Sequence, residues 1–109
     1  MRPPDQRPKL YKSVADTIAC TVELFGVARL KANTARITLT LPAGADLGAA
    51  LSALADALPM LVGSVLMQDR HHLVPGFVCN VNGQLFVRDM CTAVQAGDSI
   101  LILSSDAGG

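Results

Sequence analysis

The chain has no tryptophan, one tyrosine and three phenylalanines, so aromatic residues make up only 4% of its 109 positions. A core built on stacked rings is excluded. Half of the residues are nevertheless hydrophobic, and Leu, Val, Ile and Ala must fill the interior. Excess charge of either sign is also missing: nine Lys and Arg balance nine Asp and Glu. That balance leaves no electrostatic footprint for nucleic acid or for an anionic membrane. Long apolar runs are absent too. Pro59, Gly63, Gln68 and Asp69 interrupt the longest candidates, which fall short of the about 20 residues a spanning helix needs. The N-terminus carries arginines and prolines without an apolar segment and does not read as a signal peptide, so a soluble cytoplasmic protein is expected.

Cysteine is scarce and unpatterned. Cys20, Cys79 and Cys91 are odd in number, widely spaced and form no CxxC pair, which argues against a disulfide framework or a zinc site. Cys20 and Cys79 sit within apolar alternations and read as small buried hydrophobes, whereas Cys91 falls in a loop-like stretch. His71 and His72 are adjacent, a poor arrangement for chelating one ion, and no metal site is expected there.

What the chain does have is alternation. Residues 1–16, with Pro3, Pro4 and Pro8 among Arg2, Arg7, Lys9 and Lys12, predict a flexible tail. Residues 17–25 alternate, with Ile18, Cys20, Val22 and Leu24 on one side and Thr17, Thr21 and Glu23 on the other; Phe25 falls on the polar side. A second alternation places Ile37, Leu39 and Leu41 inward, and residues 26–34 are expected to be a hairpin connection between these strands. Asp46 can cap a helix whose stripe is Leu47, Leu51, Leu54 and Leu58, ending at Pro59. Residues 60–67 read as a short helix or a packed loop, and 68–72 as a solvated turn. Strands are then predicted at 77–81 and 84–87 around the Asn82-Gly83 turn, and at 99–103 after the turn at 95–98. In the last strand Ile100 and Ile102 face one side, Leu101 and Leu103 the other. One domain of α+β class follows: a mixed sheet with one main helix on one face, leaving the other face wet or bound to something.

The sequence stops at Gly108-Gly109, after the polar stretch Ser104, Ser105, Asp106 and Ala107. A glycine pair can lie extended in a slot too narrow for any side chain and present its carboxylate to an activating enzyme. Four segments occur in register with it: Phe25-Gly26-Val27-Ala28-Arg29-Leu30, Val81-Asn82-Gly83, Ala96-Gly97-Asp98-Ser99-Ile100 and Ala107-Gly108-Gly109. Over residues 17–109 this pattern resembles the MoaD/ThiS family of ubiquitin-like sulfur carriers, which have the β-grasp fold.

The resemblance implies a β-grasp domain over 17–103 with a flexible diglycine tail over 104–109. It implies that Gly109, next to Gly108, is adenylated by a ubiquitin-activator-like enzyme and converted to a thiocarboxylate. The sulfur would then pass to a sulfur-using synthase subunit. The small subunit of molybdopterin synthase is the commonest such role; cysteine, thiamine and specialised-metabolite pathways are others. ATP belongs to the activating enzyme, no bound cofactor is expected, and the chain acts as a protein cosubstrate rather than an enzyme. By the same resemblance Phe25, Val87 and Leu103 fall at or near partner-contact positions, with Leu101 extending the patch. A ubiquitin-like modifier joined through Gly109 to lysines is the alternative, and a plain interaction module a third. The tail departs from the family in carrying Ser104-Ser105-Asp106 where prolines are common, and the segment 60–76 is longer than in the shortest thiamine-type carriers.

Overall fold

The computed structural model describes residues 16–105. Gly108, Gly109 and all but Asp16 of the expected N-terminal tail lie outside the described residues. Strand β1 (Thr17–Leu24) pairs antiparallel with β2 (Arg36–Pro42) and parallel with β5 (Ser99–Ser104). β5 in turn pairs antiparallel with β3 (Phe77–Val81), which carries β4 (Leu85–Val87) at the edge. The sheet order is β2-β1-β5-β3-β4, so the two ends of the domain meet at its centre.

Beside the one main helix expected, a second, shorter helix connects the strands. Residues 26–34 are not a plain hairpin connection: helix α1 spans Gly26–Ala32. It begins at Phe25 with no side-chain cap, opens with Gly26 at a φ of 56°, and ends at Asn33 in the left-handed region. Its inward contacts are two small residues, Ala28 and Ala32, one turn apart. So slight a stripe leaves little periodic signal in the sequence. Helix α2 (Leu47–Ala57) is the predicted one. The Asp46 carboxylate accepts from the Ala49 N–H at 2.8 Å, satisfying one of the orphan donors of the first turn. Leu47, Leu51 and Leu54 are fully buried and Leu58 half-buried, each full burial stabilising by roughly 1.5–3 kcal/mol. The loop carbonyls of Thr92 and Met90 accept from the Leu47 and Gly48 N–H groups, which pins the 88–94 segment over the helix start.

Residues 60–67 are a packed loop opened by a short 3₁₀ turn, Pro59–Leu61, with Leu61, Val65 and Leu66 buried. Both helices and this loop belong to one core cluster with Cys20, Val22, Leu24, Leu39, Leu41, Cys79, Ile100 and Ile102. All the covering elements therefore lie on one side of the sheet. Among the described residues no element covers the other face, called the open face below.

The turns at the strand ends are coupled. Asn82 and Gly83 both have positive φ, 60° and 71°, as the hairpin signal requires. The Asn82 carboxamide also donates to Asp98 at 3.0 Å and accepts from the Ser99 N–H at 2.8 Å. Asp98 accepts from the Gln95 N–H at 2.9 Å in the neighbouring turn. This clip ties the β3–β4 hairpin to the start of β5.

Candidate docking face and C-terminal strand

Opposed residues on paired strands share a face of the sheet, so the register sorts the side chains. On the open face one half is polar: Thr21 and Glu23 on β1 stand beside Thr38 and Arg36 on β2. Glu23 and Arg36 pair at 2.9 Å, an exposed bridge worth at most about 1 kcal/mol, and so neutralise each other. The other half is apolar. Glu23 lies opposite Leu101, Leu103 opposite Val78, and Asn80 between Leu101 and Phe86. Leu101, Leu103 and Val78 are half-buried, while Phe86 is 58% exposed. Phe25 follows β1, its N–H donating to the Ile102 carbonyl at 3.1 Å, and stands 41% exposed beside the end of this patch.

Phe25, Leu101 and Leu103 are thus brought together, and Val87 is not. Val87 pairs with Cys79, which pairs with the buried Ile102, so it belongs to the helix-covered face and packs against the core. The reason is a single residue. A two-residue turn at Asn82-Gly83 would oppose Val81 to Gln84 and Val78 to Val87; the observed register opposes Val81 to Leu85. One extra residue in the loop exchanges the faces of every side chain on β4. Phe86 occupies the open face instead. The β3–β4 register was the missing information, and no residue in the turn announces it.

Asn80 was also not legible. It is 7% exposed, the only buried polar residue among those described, and its Oδ1 has no hydrogen-bond partner among them.

β5 leads from this face towards the C-terminus. The strand runs through Ser104, and the Ser105 N–H and hydroxyl both donate to the Gly76 carbonyl, at 2.8 and 3.2 Å. Ser105 also borders a cleft of about 380 Å³ on the covered side, lined by Pro75, Phe77, Val87, Arg88 and Met90.

The remaining reactive side chains are dispersed. Burial pushes the Cys79 thiol up to about 11, and burial followed by the charge of Asp98 also raises Cys20. Cys91 is exposed. Asp69 accepts from the His71 N–H at 2.8 Å and contacts His72 Nδ1 at 2.7 Å, and these bonds hold its carboxyl below the usual carboxylate range. His71 Nδ1 lies 3.1 Å from the Gly48 carbonyl, so the two rings serve different partners. Among the described residues no three His, Cys, Asp or Glu side chains converge on a possible ion site, and no helix is long and apolar enough to cross a membrane.

No protein-family model matches the sequence, and no curated protein matches it significantly. Solved structures do. Small archaeal modifier protein 1 from Haloferax volcanii superposes with a TM-score of 0.71 at 25% identity, over 84% of this chain and 99% of that one. The solution structure of the corresponding Methanosarcina acetivorans protein gives 0.68 at 23% identity, covering 85% and 98%. A Pyrococcus furiosus protein provisionally described as molybdopterin converting factor subunit 1 gives 0.62 at 16% identity, covering 80% and 97%. With its mixed five-stranded sheet and two helices on one side, the chain has the MoaD/ThiS-like, ubiquitin-like β-grasp fold.

Proposed function

We propose that the chain is a ubiquitin-like sulfur carrier working through Gly109. The observation that carries this reading is the open apolar face, Phe25, Leu101, Leu103 and Phe86, on and beside the strand that leads to Gly108-Gly109. An enzyme docked there can hold the domain while the terminal carboxylate enters its active site. A carboxylate is a poor electrophile. Adenylation by ATP, with release of pyrophosphate, makes the Gly109 carbonyl reactive. Attack by hydrosulfide then forms the C–S bond, expels AMP and releases a proton, leaving a thiocarboxylate able to donate its sulfur. ATP is thus a substrate of the partner, and the chain is a non-catalytic cosubstrate. The small subunit of a molybdopterin synthase is the leading role, acting with a sulfur-using larger subunit in the cytoplasm.

Incubation with the adenylating enzyme of its own organism, ATP and sulfide should replace one C-terminal oxygen by sulfur, read by intact mass and fragmentation. Sulfur found on Cys91 would overturn the assignment. A modifier role has its own support in the likeness to the small archaeal modifier proteins. It shares the activation step and is distinguished by isopeptide bonds between Gly109 and lysines of other proteins in cell extracts.

A further inference from the structure

We infer that Asn80 is a specificity-determining acceptor of the open face, bound by an N–H donor that the adenylating enzyme presents from an otherwise apolar, uncharged surface. This rests on the sulfur-carrier reading above. Asn80 occupies the middle of β3 on the open side, opposite Leu101 on one neighbour and Phe86 on the other. Neither carries a side-chain donor, nor does Val78 two residues before it. Its Oδ1 is buried and unpaired in a domain whose other buried side chains, among those described, are all apolar. A carboxamide oxygen removed from water without a donor destabilises the free domain, and an aliphatic residue would fit this strand without that penalty. Among the described residues no side chain supplies the missing donor; the Asn82 carboxamide, two residues on, bonds instead to Asp98 and to the Ser99 N–H.

The position limits what brings it. Four residues follow Ser105 in the sequence, and at full extension they reach about 14 Å. An enzyme acting on the Gly109 carboxylate must therefore stand close to the end of β5, the strand whose Leu101 and Leu103 border Asn80. Among the described residues the only charges that the register places on this face, Glu23 and Arg36, already satisfy each other, so the surface complementary to its apolar half needs no charge. Oδ1 is buried, so docking has to uncover it; Phe86, opposite Asn80, is 58% exposed on a three-residue edge strand and is the neighbour most able to move. Docking would then exchange an unpaired acceptor for a paired one, and an apolar surface lacking the donor would be rejected.

The test compares the full-length wild type with Asn80→Leu and Asn80→Thr. ATP–pyrophosphate exchange by the adenylating enzyme gives KM for the chain, and melting temperatures come from the same preparations. Asn80→Leu should melt higher by roughly 4–8 °C, because the orphaned acceptor is gone. Its KM should rise about tenfold or more, with kcat little changed. Asn80→Thr keeps an acceptor oxygen on a β-branched residue suited to a strand, and should retain most of the wild-type affinity. An unchanged KM for Asn80→Leu beside active wild type overturns the inference alone, as does a lowered melting temperature with unchanged KM. No exchange with the wild type would refute the sulfur-carrier reading and this inference together.

Discussion

At the scale of single residues, environment rather than residue type sets chemistry. Cys79 is 1% exposed, and its thiol is pushed from 9.0 to about 11 by burial; Cys91 is exposed. An alkylating reagent at mildly alkaline pH should therefore modify Cys91 first, leaving Cys79 and Cys20 untouched in the folded protein. The same shift couples to stability. A thiol titrating higher in the folded than in the unfolded state keeps its proton on folding, so the unfolded chain binds fewer protons between the two values. The contribution of Cys79 is complete below pH 9 and declines as pH rises from 9.0 to about 11, and the raised Cys20 adds with the same sign. Urea midpoints measured at several pH values should fall across that window. Cys79→Ala should be less stable throughout but show a shallower fall. Parallel pH profiles for the two proteins would show that burial of this thiol has no part in the alkaline loss.

Elements divide by how much side-chain signal they carry. α2 announces itself: a capping Asp46, a four-leucine stripe and a terminating proline all agree. Leu51 and Leu54 are 1% and 0% exposed, so either residue changed to alanine should cost roughly 2–5 kcal/mol in denaturant unfolding. Stability unchanged within error would mean that the helix does not dock as described. The alternations of β1, β2 and β5 were equally legible, because each has one wet and one buried side. α1 was not: seven residues without a side-chain cap bury only Ala28 and Ala32, and Val27 and Leu30 point into solvent at 47% and 80% exposure. Its helical state is set by packing on β5 and on the Pro59–Leu61 turn, contacts distant in sequence. The β3–β4 hairpin was legible as a turn but not in register, and a shift of one residue moved Val87 to the core face and Phe86 to the open one. The orphaned Asn80 shows the same limit, since a polar residue in a strand reads as solvent-facing until its neighbours are known.

At the scale of the whole molecule, the β-grasp puts the elements that bury the core on one face of the sheet, and the reading proposed above puts docking on the other. Both helices and the central loop are spent on the covered side. The open side holds Leu103 opposite Val78, half-buried, at the end of the strand that leads to the tail. A glutamate at Leu103 keeps its charge near water in the free domain but loses that water when an apolar surface closes over it. Leu103→Glu should weaken binding of the adenylating enzyme by roughly 2–4 kcal/mol while shifting the melting temperature by only a few degrees. Phe25→Glu should act in the same direction but less strongly, because Phe25 lies past the end of β1 at the margin of the patch. Val87→Glu provides the opposite case. Its side chain packs against the core beside Cys79, so the charge should cost about 2 kcal/mol of folding stability, roughly 8–16 °C, with little direct effect on docking of what remains folded. Affinity and thermal unfolding measured on all three variants test the two faces together. If Leu103→Glu collapsed the fold while Val87→Glu abolished binding without unfolding, the register of β3, β4 and β5 would have to be reversed.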